Sequence, residues 1–427
     1  MIRDSEIERI IRAYSTPIFK AAGLKASDVK IFIVKDNSLN AFVAGGQKMF
    51  INTGLILNSD SANQIIGVIA HETGHIAGGH LSRVHDALSK SSTSTILSAI
   101  IGGAAAVATG RGDVGAAIAL GGQISATRNF LAYSRTQEAS ADHAALSYLD
   151  KTGQSARGLM EFMQKLGDQE LLSPAQQDPY VRSHPLTRDR ITTVENHVQN
   201  SDHSENPSAA GFERMHGLMK AKLYAFLNPY GRTIRVYKAS DQSVNSRYAR
   251  AIGEYRRQRL DLAAPLIDGL IREFPDNPYF LELKGQMLFE HGRIQDAIIV
   301  YTRANQLLPD APLIRRDLAR AQLESKDPTL YDDAVDNLEA ALFDDRESAF
   351  NWHFLAIAHG RRGDMGRSSL ALAEEALLKG KPEVAKFHAG RAAQHFTRGS
   401  REWLQSEDIR LAAAEQERAQ KRRQQQQ

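Results

Sequence analysis

The 427-residue sequence predicts a mixed α+β domain followed by an all-α solenoid, on three observations. Short β-like segments lead into a long apolar helix near the N-terminus. A 34-residue step recurs in the C-terminal half, from Pro275 to Pro309. Between them, Asn196 to Ala210 is rich in Asn, Ser, Asp, Glu and Pro and poor in apolar residues, as a linker would be. The expected division is a first domain over residues 1–200, a linker over 201–213, repeats over 214–410 and a disordered polar tail over 411–427.

In chain order, Ile7, Ile10, Ile11 and Tyr14 share one face of a helix expected over residues 1–28. Val29 to Val34 reads as a strand. Phe42–Ala44 and Lys48–Ile51 read as two more, with Gly45-Gly46 as the turn between them. Ser61 and Gln64 have the spacing of a capping box, and the helix they start runs through Ile65, Ile66, Val68 and Ile69 into His71. Residues 92–127 are rich in Ala, Gly, Ser and Thr. Their most apolar part, Thr95 to Ala108, is shorter than the ~20 residues a spanning helix needs and is broken by Gly102 and Gly103. It is expected to pack on the protein or to make peripheral contact with a membrane. A further helix is expected over 134–150.

In the repeats, Phe274-Pro275-Asp276 returns as Leu308-Pro309-Asp310. Small residues at Gly285, Ala297 and Ala304 let paired helices approach, while Leu281, Leu288 and Tyr301 fill the seam. Ala251 and Ala263 begin a unit before this one. The next unit has Ala319 and then, after about three extra residues near Pro328, Ala334, Leu338 and Ala341, and Trp352, Leu355, Ala356 and His359 open a fourth unit. The step is that of tetratricopeptide repeats, whose faces hold protein partners.

Composition narrows the function. A net charge of +3 and no basic face patterned for phosphates argue against nucleic acid. Without cysteine there are no disulfides, no thiolate zinc site and no cysteine nucleophile. The first residues have no apolar core after their charges, so they are not a signal peptide. The chain is therefore expected to be cytoplasmic, or to start at a mature N-terminus with Met1 added.

His71-Glu72-Thr73-Gly74-His75 is an H-E-x-x-H motif on a helix. Residues four apart on a helix differ in direction by only about 40°, so both imidazoles can face one Zn²⁺ at ~2.0–2.1 Å. Glu72, beside the first of them, is placed to take a proton from water. A catalytic zinc site wants a third protein ligand. His80 follows Gly78 but is one position early for the extended motif. It lies about 140° round from His75 and is read as a structural hydrogen-bonding residue. Glu138, with Asp142 four residues on, suits a ligand backed by a carboxylate that accepts the free N–H of a ligand His. A solvated acidic face with Arg135 would give the same pattern. His184, in Ser183-His184-Pro185, is either an oxyanion donor or an ordinary loop histidine. Arg188 can assist it or orient a nearby carboxylate.

Tyr133-Ser134-Arg135 with Glu138 and Asp142, the H-E-x-x-H helix and Ser183-His184-Pro185 together resemble the metallopeptidase family of the CAAX prenyl proteases and HtpX. The soluble, repeat-bearing layout is similar to its periplasmic BepA type. The resemblance implies an α+β zincin-like metallopeptidase domain followed by an all-α tetratricopeptide-repeat solenoid. It implies one Zn²⁺ per chain on His71, His75 and Glu138, with Glu72 as base, Asp142 behind the ligands and His184 as transition-state donor. It further implies residence in the periplasm after loss of a signal peptide. The expected work is endopeptidase action on misassembled outer-membrane proteins, with the repeats meeting protein substrates and the outer-membrane assembly machinery. Ser140 departs from the acidic residue many members carry there. Substrate is expected along an edge strand at Ala41, Phe42, Val43 and Ala44. His184 remains open between oxyanion donor, fourth zinc ligand and loop residue. The rival reading is a chaperone-like scaffold with a latent site, against which the intact Glu72 argues, since a structural site has no use for a base.

Overall fold

The computed structural model describes residues 1–80, 135–167 and 179–425. The chain divides into two compact units, Met1–Leu227 and Asn228–Gln427.

The first unit opens with α1 (Ser5–Ala21), whose first turn is capped by the Asp4 side chain accepting from the Ile7 N–H. The helix stops short of residue 28 because Gly23 adopts a φ of 75°. Arg12 then donates to the Ala26 and Val29 carbonyls and ties the following loop to α1. Strands β1 (Lys30–Val34), β2 (Ala41–Ala44) and β3 (Lys48–Asn52) form one sheet in the order β1-β3-β2. β1 and β3 are parallel, and β2 is antiparallel to β3. Gly45 and Gly46 both take positive φ in the β2–β3 turn, as expected of a tight hairpin. A short helix unforeseen in the sequence, α2 (Thr53–Asn58), leads into α3 (Ala62–Ala77).

Helix α3 is the centre of the unit, with every residue from Gln64 to His75 buried. Around it pack α1, a helix over residues 135–151 (α4), α5 (Arg157–Gly167), α6 (Pro179–Ser183), α7 (Arg188–Asn200) and α8 (Phe212–Leu227). Among the described residues no helix is long and apolar enough to cross a membrane. The segment 92–127, expected to touch one, lies outside the described residues.

Two expected boundaries move. Segment 201–213 is held to the first unit rather than running free: Ser155 Oγ donates to the Ser204 carbonyl at 2.6 Å, and Asn206 Nδ2 to the Gly153 carbonyl at 2.9 Å. Helix α8, expected to open the repeats, belongs to the first unit's core through the buried Met219 and Leu223. The Tyr14 hydroxyl donates to the Phe212 carbonyl at 3.0 Å. The buried Lys222 ammonium meets Asp4 at 2.8 Å and Glu6 at 3.3 Å. The division therefore falls at Leu227 and not at 201–213.

In the second unit, helix pairs start at Val244, Pro278, Pro312, Ala349 and Pro382, in steps of 34, 34, 37 and 33 residues. The long step holds a 3₁₀ turn, Pro328–Leu330, where the sequence carries its extra residues. The seam is as tight as its small residues require: a Cβ on Gly285 would lie 2.7 Å from the Tyr301 ring. The turn inside each of the first four pairs places one residue at positive φ, namely Gln258, Gly292, Lys326 and Gly363. The fifth pair, Pro382–Ala393 with Arg401–Gln425, was not foreseen. It corrects the disordered tail, because Ile409 and Ala413 bury against Ala385, Ala389 and Ala392 and carry the helix on through residues 411–425. Glu417, within that extension, pairs with Lys386 and Lys421, and its Gln- and Arg-rich sequence favours helix.

Candidate metal centre

Ser61 caps α3 by accepting from the Gln64 N–H at 3.3 Å, and Gln64 Oε1 returns a bond to the Asp60 N–H at 2.9 Å. The reciprocal bond of the predicted capping box is thus displaced by one residue. Within the same helix, Gly74 has a specific task. A Cβ there would lie 2.8 Å from the Ala141 carbonyl oxygen, so only glycine lets the backbones of α3 and α4 approach this closely. That approach sets Glu138 and Asp142 against His71 and His75.

Side-chain atoms of four residues converge. His75 Nε2 lies 3.1 Å from His71 Nε2 and 3.3 Å from Glu138 Oε1. His71 Nε2 lies 3.4 Å from Glu138 Oε2. His184 Nδ1 lies 3.3 Å from His71 Nε2 and 3.1 Å from Glu138 Oε2. All four residues are buried and their ligand atoms form one cluster that could hold a metal ion. Four atoms at ~2.0–2.1 Å from a tetrahedral centre stand about 3.3–3.4 Å from one another. The quoted separations of 3.1–3.4 Å lie near that edge, and one ligand atom from each of the four residues lies within 4.8 Å of the others, so this donor set can close around zinc.

Glu72 is fully buried, and among the described residues neither of its carboxylate oxygens has a hydrogen-bond partner. Its Oε1 faces His184 Nε2 at 3.4 Å. Burial raises the Glu72 carboxyl above the usual range, and the neighbouring His184 and His71 only partly offset this. Burial alone would lower His71, but its bonds to Asp142 and Glu138 win and lift it to about 10. For His75 burial wins, and it falls to about 4. A sealed carboxylate with no hydrogen bond among the described residues, beside a cluster of convergent donors, is arranged to act on something that enters the site.

Residues 2–198 match Peptidase family M48, and residues 248–312 match the tetratricopeptide repeat. The N-terminal half is a family M48 peptidase domain. The chain is accordingly a metalloprotease with a tetratricopeptide region, the family and the architecture its motifs resembled. A relative from Vibrio cholerae is 24% identical over 88% of this chain and 76% of its own length. The beta-barrel assembly-enhancing protease of Escherichia coli K12 is 23% identical over 90% of this chain and 78% of its own, and that of Yersinia pestis 22% over 89% and 78%.

Around the M48 cluster, Asp142 Oδ1 accepts from His71 Nδ1 at 2.8 Å, the contact expected of a carboxylate behind a ligand histidine. His80 stays outside the cluster, with its Nδ1 3.0 Å from His75 Nδ1. Among the described residues strand β2 is a sheet edge, paired only with β3, and it packs on α3. Ala41 is buried there, while Phe42, Val43 and Ala44 are partly exposed. His184 sits just past α6, where its N–H bonds the Tyr180 carbonyl at 2.7 Å and its ring stacks on Tyr180 at 4.7 Å.

Arg188 does not reach the site. It is exposed at the start of α7, and the buried Arg190 takes the place assigned to it. Thr187 caps α7 by accepting from the Arg190 N–H, and two residues further round a helix turn the side chain by about 200°, from solvent to core. Arg190 binds Asp142 through two nitrogens, Glu138 at 3.0 Å and the Pro185 carbonyl at 2.7 Å. The cap at Thr187 was the signal that could have identified it.

Proposed function

We propose that the chain is a zinc-dependent endopeptidase that degrades misassembled outer-membrane proteins in the periplasm, its repeats holding protein substrates and the assembly machinery. One observation carries the zinc reading: the convergence of buried ligand atoms from His71, His75, Glu138 and His184 beside Glu72, whose carboxylate has no hydrogen-bond partner among the described residues. His71, His75 and Glu138 would hold the ion. When bound, zinc polarises the scissile carbonyl and makes water acidic enough to attack near neutral pH. Glu72 takes the proton of that water and can pass it to the leaving amine. Asp142 keeps the proton of His71 on Nδ1, which leaves Nε2 free to bind metal. The edge of β2 offers main-chain hydrogen bonds to an extended substrate. The envelope setting rests on the likeness to beta-barrel assembly-enhancing proteases.

His184 supports a second statement about the same site. Its Nδ1 occupies the fourth corner, which a catalytic zinc site keeps open. We read this arrangement as a latched state. When the loop at Pro185 withdraws, the corner opens and the same imidazole becomes available to donate to the oxyanion.

Metal analysis and casein cleavage test the reading. Wild type should carry one zinc per chain, and Glu138→Ala should lose it. Glu72→Gln should keep zinc and lose cleavage by about 10²–10⁴-fold. Full zinc in Glu138→Ala, or near-normal cleavage by Glu72→Gln, overturns the assignment. Capture of outer-membrane proteins by Glu72→Gln in cells tests the substrate class, and their absence from the trapped material removes it.

A further inference from the structure

We infer that His80 is the positioning residue that fixes the tautomer of His75, and that residue 78 is glycine to make room for it. The inference rests on the zinc reading above. His75 has two ring nitrogens with different surroundings. Nε2 belongs to the convergent cluster, 3.1 Å from His71 Nε2. Nδ1 faces His80 Nδ1 at 3.0 Å, with the two rings edge to face, 82° apart. Two ring nitrogens at that separation share one proton, so one donates and the other accepts. If Nε2 gives its lone pair to a metal, the proton of His75 must be on Nδ1. Nδ1–H then donates to His80, which accepts through Nδ1 and carries its own proton on Nε2. His80 thus does for His75 what Asp142 does for His71.

The chain is built to bring His80 there. Helix α3 ends at Ala77, and Gly78 caps it, its N–H bonding the Gly74 carbonyl. Gly79, at a φ of 62°, takes the left-handed conformation that turns the chain back. His80 then folds onto the last turn of α3 and is 4% exposed. Gly78 itself has an ordinary φ of −70°, which any residue can adopt. Its constraint is steric: a Cβ there would lie 2.4 Å from His80 Nε2 and 2.8 Å from His80 Cδ2. The φ at 78 permits a side chain, and the His80 ring stands closest in its way, nearer than the Gly74 carbonyl oxygen at 3.0 Å. This second observation is independent of the hydrogen bond and points to the same ring placement.

The test is zinc affinity of the full chain by chelator competition, for wild type, His80→Ala, His80→Asn and Gly78→Ala. Loss of an outer partner typically weakens metal binding 10–100-fold. That loss is expected in His80→Ala, and in Gly78→Ala, which keeps every donor and displaces only the ring. Asn places an acceptor oxygen near the position of Nδ1, so His80→Asn should recover most of the affinity, which a packing role alone would not give. Wild-type affinity in His80→Ala overturns the inference. So does failure of Asn to restore binding in a folded protein. Should His80→Ala fail to fold, Gly78→Ala and His80→Asn decide by the same measurement. If wild type binds no zinc, the metal reading falls instead, so the two failures are distinguishable.

Discussion

Arg190 grips Asp142 with both sides of its guanidinium, Nε donating to Oδ2 at 2.6 Å and Nη2 to Oδ1 at 2.9 Å. The pair is sealed, with side chains 4% and 1% exposed. Through its remaining contacts the same group holds the Glu138 carboxylate and the Pro185 carbonyl beside His184. Arg190→Lys keeps the charge but loses the fork, so it should weaken zinc binding about 10–100-fold. Arg190→Ala removes the guanidinium from two buried carboxylates, leaving them only their histidine neighbours, and should cost about 3–5 kcal/mol. The exposed Arg188→Ala should stay within about 0.5 kcal/mol. Denaturant unfolding beside zinc content checks all three, and equal effects at 188 and 190 would refute the placement.

His184→Ala should retain one zinc per chain, because three donors remain in the cluster. Its turnover should fall by about two to three orders of magnitude, as when one oxyanion donor is removed. A rise in turnover would assign His184 to the latch alone, and no change would make it a loop residue. Peptide cleavage kinetics with paired metal analysis separate the three.

Truncation tests the division at Leu227. A chain of residues 1–227 should fold and bind zinc. A chain of residues 1–211 removes Met219 and Leu223 from the core and strips Lys222 from Asp4 and Glu6. It should be unfolded or molten, read by near-ultraviolet circular dichroism. Equal stability of the two would return the boundary to 201–213.

In the repeats, Gln258 and Lys326 adopt φ values of 62° and 59° at turn positions where Gly292 and Gly363 stand in other units. A side chain in that conformation costs roughly 1–2 kcal/mol, partly offset by the greater freedom of glycine in the unfolded chain. Lys326→Gly and Gln258→Gly should therefore each raise unfolding stability by up to about 1 kcal/mol. A loss of that size would show that the side chains make compensating contacts.

The chemistry was more legible in the sequence than the boundaries. His71, Glu72 and His75 are adjacent along one helix, and helix geometry alone puts them together. The four-residue spacing of Glu138 and Asp142 put both on one helix face but suited a solvated acidic face equally. Only the family resemblance tied them to His71 and His75, because the two helices lie far apart in the chain. Arg190 was not legible, because choosing between it and Arg188 needs the phase of a helix whose cap is a single Thr187. Helix α8 was misplaced for a related reason. Its apolar stripe of Met215, Met219, Leu223 and Leu227 fits a repeat as well as it fits the first core, and periodicity does not say which partner a face will find. In the tail, Ile409 and Ala413 were too sparse a stripe to outweigh the charge around them.

The 3₁₀ turn Pro328–Leu330 lies between the two helices of its repeat, Pro312–Glu324 and Tyr331–Asp344, and inside neither. Both helices therefore keep their apolar faces in phase while the connection between them lengthens. The turn is an expansion joint: length can be added there without rotating a buried face outward. Loops, epitopes or whole modules spliced at this point would be carried by the array, whereas the same residues added within Tyr331–Asp344 would swing Ala334 and Leu338 away from their neighbours.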